Sequence, residues 1–241
     1  MQVDKNLTAQ IEPFDSFWEA PANIEKGYVS FAKFYQRNYL KHLKLRPENQ
    51  ILVISCGAGY FLDLLKHMGI NNVLGIDSDP DKIAYARARR LNCQVANAFA
   101  FLKKAPSLYD LIIAEQELNH LTKAEMLQFL ALCGRCLKPG GTLAVHSLNG
   151  ANPITGSEAL AQNFDHYNTL TEYSLRQVLE YSGFTHITVF PLNLYIFYEN
   201  PLNYVGKFLD AVIQIILRFS FKFYGKSNRI FSKKIAAICQ K

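Results

Sequence analysis

The sequence predicts an α/β fold: a doubly wound, mostly parallel seven-stranded sheet, with a helical cap before it and an amphipathic helical extension after it. Short apolar segments alternate with helical patterns, which is typical of parallel strands joined by helices. The apolar run Ile51 to Ile54 stops at a Gly57-Ala58-Gly59 turn and continues as a helix, and a second apolar run ends at Asp77. This strand, turn, helix and strand pattern is typical of a unit that binds a nucleoside.

The elements follow in order along the chain. A helical cap is expected near 24–43, strands near 51–55, 72–76, 93–96, 109–114, 142–148, 185–190 and 193–198, and helices near 59–68, 80–91, 98–104, 123–136 and 172–182. The short link from Phe190 to Asn193 predicts that the last two strands form an antiparallel hairpin. We therefore expect the sheet to be complete by about Tyr198, with one domain over 1–200 and a separate tail over 201–241.

The turn after the first strand indicates which kind of nucleoside binds. Gly57 and Gly59 let the backbone turn tightly and approach a ligand, and the Asp77 carboxylate can accept both hydroxyls of a ribose. A dinucleotide site needs Gly or Ala at the third position of the motif, where this chain has Leu62, so binding of a pyrophosphate is disfavoured. A plain tight turn followed by a helix cap is the alternative interpretation of these residues.

Five segments carry a family resemblance: SCGAGYF, GIDSDPDKIAYAR, QVANAF, YDLIIAEQELNHL and LKPGGTLAVHSLN, in this order between about Ile51 and Asn149. In them the chain resembles the class I S-adenosylmethionine-dependent methyltransferases, which implies a Rossmann-like methyltransferase fold and S-adenosyl-L-methionine as the cofactor. The resemblance implies the following roles: Ser55, Gly57 and Gly59 shape the cofactor turn, Asp77 holds the ribose, Ser78, Asn97 and Ala98 flank the adenine, and Glu115 and Gln116 line the methionine and acceptor side. We expect Tyr28 and Phe34 of the helical cap to close over the site.

The chain departs from the family pattern at three positions. Family members usually have an acid at the position of Val53, a glycine at Ser55 and often an aspartate at Asn97. Because the missing acid normally helps to hold the loop and the methionine end of the cofactor, we expect a reduced affinity. Asn97 can still accept a hydrogen bond from the adenine amino group through its amide oxygen, or it can be a turn residue after the third strand.

A hydroxyl acceptor must lose a proton, and histidine is the side chain whose pKa suits that work. Two histidines are candidates: first His166, in the loop before the helix that begins near Thr171, and then His120, just after the fourth strand. Each can also be a polar loop residue or a helix cap. The segment from His146 to Phe184 resembles methyltransferases of bacterial sugar and surface-polysaccharide biosynthesis, which implies a sugar or glycan-linked hydroxyl as the acceptor.

Two alternatives remain for the function. A methyltransferase for a lipid or quinone-like acceptor would use the apolar tail to guide its substrate. A degenerate cofactor-binding or scaffold domain would account for Val53 and Ser55.

The five cysteines are scattered and odd in number, so they predict no disulfide framework and fit a reducing, cytoplasmic setting. Cys133 and Cys136 form a CxxC without a second ligand pair, which favours two core residues of a helix over a metal or redox site. We expect no metal, and no signal peptide, because the N-terminal residues lack an apolar core.

The tail from Pro201 has its own composition. It carries eight Lys or Arg residues against the single acid Asp210, so the whole net charge of +6 comes from it. Its polar and apolar residues separate onto opposite helical faces, and its longest uncharged run, Ala211 to Leu217, is far short of the ~20 residues needed to span a bilayer. Gly225 is expected to end this helix, and a second helix is expected from about Asn228.

This composition predicts that 203–240 binds an anionic membrane surface peripherally, on the cytoplasmic side. Packing against the chain's own sheet or against a second subunit is the alternative. Nucleic acid is disfavoured as a partner, because the tail is too rich in Phe, Ile and Leu for a solvated phosphate-binding arm. The acceptor is expected to be a small molecule or a glycan, and the sequence does not indicate an oligomeric state.

Overall fold

A computed structural model describes residues 21–115, 117–162, 166–192 and 202–241. The seven strands form one sheet in the order β3-β2-β1-β4-β5-β7-β6. The strands are β1 Ile51–Ile54, β2 Val73–Asp77, β3 Cys93–Val95, β4 Tyr109–Ala114, β5 Leu137–Leu148, β6 Thr185–Leu192 and β7 Lys234–Gln240. The α-helices of the described residues are α1 Pro21–Asn38, α2 Tyr60–His67, α3 Pro80–Ala88, α4 Ala98–Lys104, α5 Lys123–Cys136, α6 Pro153–Gln162, α7 Glu172–Tyr181 and α8 Leu202–Phe223. The predicted doubly wound, mostly parallel seven-stranded sheet is confirmed.

The pairing of the strands creates a functional edge. Strands β1 to β5 run parallel, with Ile51 of β1 opposite Val73 of β2 on one side and Leu111 of β4 on the other. Strand β7 runs antiparallel to both β5 and β6. Because the carboxyl ends of parallel strands meet at one edge of a sheet, the loops that follow β1 to β5 gather there.

Helices cover both faces of the sheet, and each face has its own apolar core. One core joins α1, α2 and α3 to the sheet, and the other joins α4, α5 and α7 to the opposite face. Strand β1 is buried along its whole length, as expected for a parallel strand covered on both faces. Cys133 and Cys136 of α5 are fully buried members of the second core, which confirms their interpretation as core residues of a helix.

The end of the chain corrects the prediction in two respects. The helix expected from about Asn228 is instead strand β7, in which Ile235, Ala236, Ala237 and Cys239 are fully buried between β5 and β6. A short, continuous apolar run has no period that separates a buried strand from a buried helix, which is why the sequence pattern misled.

The sheet is therefore not complete at Tyr198, because its sixth position is supplied by 234–240. The strand expected near 193–198 lies outside the described residues, and the antiparallel neighbour of β6 is β7. The long helix α8 is thus an insertion between two neighbouring strands.

Helix α8 itself was predicted well. It spans Leu202–Phe223, and Gly225 follows it with a φ of 69°, in the left-handed region that ends many helices. None of the helices in the described ranges is long and apolar enough to cross a bilayer.

Candidate functional site

The turn between β1 and α2 has a strongly constrained backbone. Ser55, Gly57 and Gly59 have φ angles of 57°, 53° and 85°. A Cβ at Gly59 would lie 2.6 Å from Leu91 Cδ1, whereas a Cβ at Gly57 would meet no atom within 4 Å. Gly59 is therefore required for packing and conformation, and Gly57 borders open space in which a ligand can approach the backbone.

Ser55 explains why a glycine is usual at its position. A non-glycine residue in the left-handed region costs about 1–2 kcal/mol, and this chain carries that strain at the start of its cofactor turn.

Leu62, at the third position of the glycine motif, is accommodated by a glycine elsewhere. A Cβ at Gly75 of β2 would lie 2.5 Å from Leu62 Cδ1 and 2.8 Å from Cys56 Sγ. Helix α2 thus packs closely on the sheet because the small residue lies in the strand. A search for small residues within the motif alone could not have found this compensation.

Asp77 lies at the carboxyl end of β2, beside the turn. Its Oδ2 accepts a hydrogen bond from the Gly57 N–H at 2.9 Å, and its Oδ1 accepts one from the Asp79 N–H at 2.9 Å. The cap of α3 is Asp79, whose side chain accepts from the backbone N–H groups of Asp81 and Lys82, so Asp77 is not that cap. Each carboxylate oxygen has a further lone pair, so Asp77 can brace the turn and still accept ribose hydroxyls.

The residues predicted to flank the adenine follow β2 and β3. Asn97 is the cap of α4, and its Oδ1 accepts a hydrogen bond from the Ala100 N–H at 3.1 Å. The amide oxygen retains one lone pair for an adenine amino group, so both interpretations of Asn97 are compatible. Ala98 is buried and Ser78 is exposed at the same edge.

Tyr28 of α1 contacts the turn between β1 and α2. Its hydroxyl donates to the Ala58 carbonyl at 2.6 Å, and the Arg89 guanidinium lies 3.8 Å from the ring centroid. Burial raises the pKa of Tyr28 to about 12, so the hydroxyl remains a donor at neutral pH. Phe34 instead packs among the other aromatic side chains of α1, with its ring centroid 5.5 Å from that of Tyr35.

A polar cluster that the sequence did not reveal lies between α1 and the ends of β4, β5 and β7. Tyr35 donates its hydroxyl to Glu115 Oε2 at 2.8 Å, and the Tyr39 hydroxyl contacts His146 Nδ1. The strand alternation places His146 on the same face as the core residue Ala144, which is the only signal that could have located it.

The electrostatics of this cluster are unusual. Burial raises the pKa of Glu115 to about 7, although the Tyr35 hydrogen bond and the charge of Lys234 oppose that rise. The residue as a whole is partly exposed, but its Oε1 is buried and has no hydrogen-bond partner among the described residues. Burial and Lys234 hold the pKa of His146 well below its usual value, so that imidazole is neutral. Glu115 therefore exchanges a proton near neutral pH.

The two predicted histidine bases lie together. The ring centroids of His120 and His166 are 4.6 Å apart in an edge-to-face arrangement, and His166 is buried with its Nδ1 3.0 Å from the Ala159 carbonyl oxygen. Because a carbonyl only accepts, Nδ1 carries the proton and Nε2 is the basic atom.

The loops that carry these histidines are fixed at the functional edge. Asn119 donates through Nδ2 to the Asn168 carbonyl at 2.9 Å and to Ser147 Oγ of β5 at 3.2 Å. The pair therefore follows the carboxyl ends of β4 and β5, on the same edge as the cofactor turn. Gln116 lies outside the described residues. The described residues of the chain include no group of three or more His, Cys, Asp or Glu side chains that could hold a metal ion.

Comparison with known proteins agrees with this geometry. Residues 51–141 match the model of the family described as "Methyltransferase domain". A protein of Mycolicibacterium smegmatis named "Probable S-adenosylmethionine-dependent methyltransferase" is 31% identical over 136 residues, which are 56% of this chain and 51% of that protein. The ubiquinone biosynthesis O-methyltransferase of Rattus norvegicus mitochondria is 28% identical over 109 residues, 42% of this chain and 31% of that protein.

The chain thus spans about half the length, or less, of these two relatives. The similarity in fold covers more of the chain than the similarity in sequence. The crystal structure of an S-adenosylmethionine-dependent methyltransferase from Archaeoglobus fulgidus superposes with a TM-score of 0.66 at 20% identity, over 89% of this chain and 94% of that one. Residues 51–141 are therefore similar to a methyltransferase domain, the fold is similar to that of an S-adenosylmethionine-dependent methyltransferase, and S-adenosylmethionine is the cofactor that these similarities indicate.

Proposed function

We propose that this protein transfers a methyl group from S-adenosylmethionine to a hydroxyl of its acceptor, with His166 as the base. The observation that carries the proposal is the contact between buried His166 and partly buried His120 beyond the ends of β4 and β5, on the same edge as the cofactor turn. A hydroxyl is the acceptor that needs such a base, because it must lose its proton as its oxygen forms the new bond.

The cofactor supplies an electrophilic methyl group on a sulfonium, and the residues of the chain align the acceptor and remove its proton. The Ala159 carbonyl holds His166 in the tautomer whose Nε2 is basic. Nε2 is itself buried, so the acceptor has to displace the side chains around it before its hydroxyl proton can move to Nε2 as the carbon–oxygen bond forms and the bond between the methyl carbon and sulfur breaks. Glu115, with a pKa near 7, is a second acceptor of a proton at this edge, and Tyr35 fixes its carboxylate.

For the acceptor, the resemblance of the segment after β5 to methyltransferases of sugar and surface-polysaccharide biosynthesis supports a sugar or a glycan-linked intermediate. A lipid or quinone-like acceptor is the second candidate. It is favoured by the apolar helix α8 at the same edge of the sheet and by the likeness to ubiquinone biosynthesis O-methyltransferases.

The third alternative, a scaffold domain, would rest on Val53 and Ser55. Val53 is fully buried in an apolar core, where it makes no polar contribution to the cofactor loop. Titration of S-adenosylhomocysteine by calorimetry separates this alternative from the enzymes, because a scaffold that has lost the cofactor would release no heat.

The test of the acceptor uses the full chain with isotopically labelled S-adenosylmethionine. Sugar nucleotides, polyprenyl-linked sugars and prenylated phenols are offered in parallel, and mass spectrometry looks for a product in which the labelled methyl group has replaced one hydrogen. His166→Ala serves as the control for turnover that depends on the base. Methylation of an amine alone would contradict an O-directed reaction, and methylation of prenylated phenols alone would favour the second candidate.

A further inference from the structure

Helix α8 exposes its apolar face, whereas an ordinary surface helix buries it. Its partly buried residues are Gly206, Asp210, Gln214, Leu217 and Phe221, which recur every three or four positions and so form one face toward the protein. Its opposite face is apolar and exposed: Val205 55%, Phe208 67%, Leu209 53%, Val212 36%, Ile215 52%, Ile216 57%, Phe219 70% and Phe223 87%. A helix that packs on its own sheet would turn these residues inward.

The inward face has a hydrogen bond within the helix and one apolar contact with the body at its C-terminal end. Gln214 donates through Nε2 to Asp210 Oδ2 at 2.7 Å. The ring of Phe221 lies 4.7 Å from that of Phe231, which is fully buried just before β7. The helix is thus held against the body by its last turn while its apolar face points outward.

The charges of this region are arranged around the apolar face. At 100° per residue, Lys207, Arg218 and Lys222 lie along one flank of it, and all three are exposed. Exposed Lys226, Arg229 and Lys233 follow the helix. Asp210, the only acid in 202–241, points inward to Gln214. The outward surface therefore combines apolar and cationic groups without a carboxylate.

The position of the insertion links it to the site. Leu192, the last residue of β6, pairs with Lys234, the first residue of β7, and Lys234 pairs with Leu148 at the carboxyl end of β5. Both ends of the insertion that contains α8 thus leave the sheet at the edge that carries the cofactor turn and the histidines.

We propose that α8 is an interfacial anchor: it lies in the plane of an anionic lipid surface, inserts its apolar face between the headgroups and holds the catalytic edge at the bilayer. Long basic side chains on the flank of an inserted face can reach the anionic headgroups. This anchoring does not depend on which acceptor is methylated, but it would give the site access to acceptors with a lipid tail.

Charge favours lipid over a second copy of the chain. A twofold dimer through this face would place the face against itself, so the helix opposite would offer no outward acid to its basic residues. An anionic bilayer offers both an apolar interior and the opposite charge.

The experiment measures co-sedimentation of the full chain with vesicles of phosphatidylcholine alone or with phosphatidylglycerol. We expect binding to the anionic vesicles at low salt, and a marked loss of binding as salt shortens the Debye length. The double variant Phe208→Ser, Phe219→Ser should weaken binding at least about tenfold, because each ring loses its insertion. Tyr181→Ser, at an 80% exposed apolar residue outside α8, is the matched control.

A charge variant completes the design. Lys207→Gln with Lys222→Gln should lower binding to anionic vesicles, whereas Lys103→Gln with Lys104→Gln at the exposed end of α4 should not. Because all these side chains are exposed, the thermal transition of each variant should match that of the parent. No binding at low salt, or binding that the Phe variants leave unchanged, overturns the proposal. Sedimentation velocity that reveals a dimer broken by the same Phe variants would assign the face to a second copy instead.

Discussion

The nucleotide-binding part of the sheet, β1 to β4, and its C-terminal part, β6 to β7, share one edge but are built differently. In the first part, each apolar run forms the strand that its local pattern predicts, and the helices between the strands bury their apolar residues against the sheet. In the second part, β6 pairs with a strand that begins 42 residues after its own last residue, and the helix between them exposes its apolar face. Local pattern thus identified the elements of the first part, but it mistook β7 for a helix and did not decide what an apolar surface contacts.

The largest expected effect tests whether β7 belongs to the domain. Removing 201–241 deprives β5 and β6 of the strand between them and uncovers both apolar cores where the side chains of β7 are now fully buried, so we expect no cooperative thermal unfolding transition. Replacing only Leu202–Phe223 by a flexible linker should preserve the transition, because α8 contributes little to either core. Circular dichroism on both variants checks this, and a folded truncation would show that the sheet tolerates the loss of β7.

The next prediction tests whether turnover and cofactor affinity depend on different residues. His166→Ala should lower turnover by ~10² or more and leave the affinity for S-adenosylhomocysteine unchanged, because the residue acts on the acceptor. His120→Ala is the comparison, since its ring touches that of His166. Steady-state kinetics that single out His120 would exchange the two roles, and normal rates in both variants would exclude a histidine base.

Asp77 lies in the first part and should act on the cofactor alone. Asp77→Ala removes an acceptor of ribose hydroxyls and also the brace of the Gly57 N–H, so we expect S-adenosylhomocysteine to bind more weakly by ~2 kcal/mol, or about thirtyfold. Asp79→Ala removes only the cap of α3 and should lower stability by ~1 kcal/mol while the affinity is retained. Calorimetry that gives equal affinities for Asp77→Ala and the parent would remove the ribose role.

Residues with local contacts could be predicted from the sequence, whereas residues that meet across the fold could not. The glycines and Asn97 were located because they belong to turns and caps formed within a few residues, and Asp77 because it ends an apolar strand. The contacts of Glu115 with Tyr35 and of His146 with Tyr39 join residues 80 and 107 positions apart, and no local period encodes them. Leu62 and Gly75 make the same point, since Leu62 of α2 fills the space that Gly75 of β2 leaves open.

Glu115 should make stability depend on pH. Its pKa in the folded protein, about 7, lies above the ordinary 4.5, so the folded state binds more protons between these values and the free energy of unfolding falls as pH rises through them. Glu115→Gln should remove this decline and be more stable than the parent above pH 7 by on the order of 1–2 kcal/mol. Urea unfolding of the parent and the variant at pH 5 and pH 8 gives the difference between their free energies of unfolding. Both proteins contain His146, so its titration cancels from this difference. An equal difference at both pH values would contradict a buried, protonated carboxyl.

The smallest effect concerns the strain at the start of the cofactor turn. Ser55 has a φ of 57°, which glycine adopts without a steric cost, so Ser55→Gly should relieve about 1–2 kcal/mol of strain and lose about 0.5–1 kcal/mol to the greater entropy of the unfolded chain. The net gain of about 0.5–1 kcal/mol should raise Tm by about 2 °C in a protein of this size. Ser55→Ala is the matched control, because it removes the hydroxyl and keeps the strained backbone. A rise in Tm for glycine but not for alanine assigns the effect to φ, whereas equal values for both would mean that the turn is not strained at this residue.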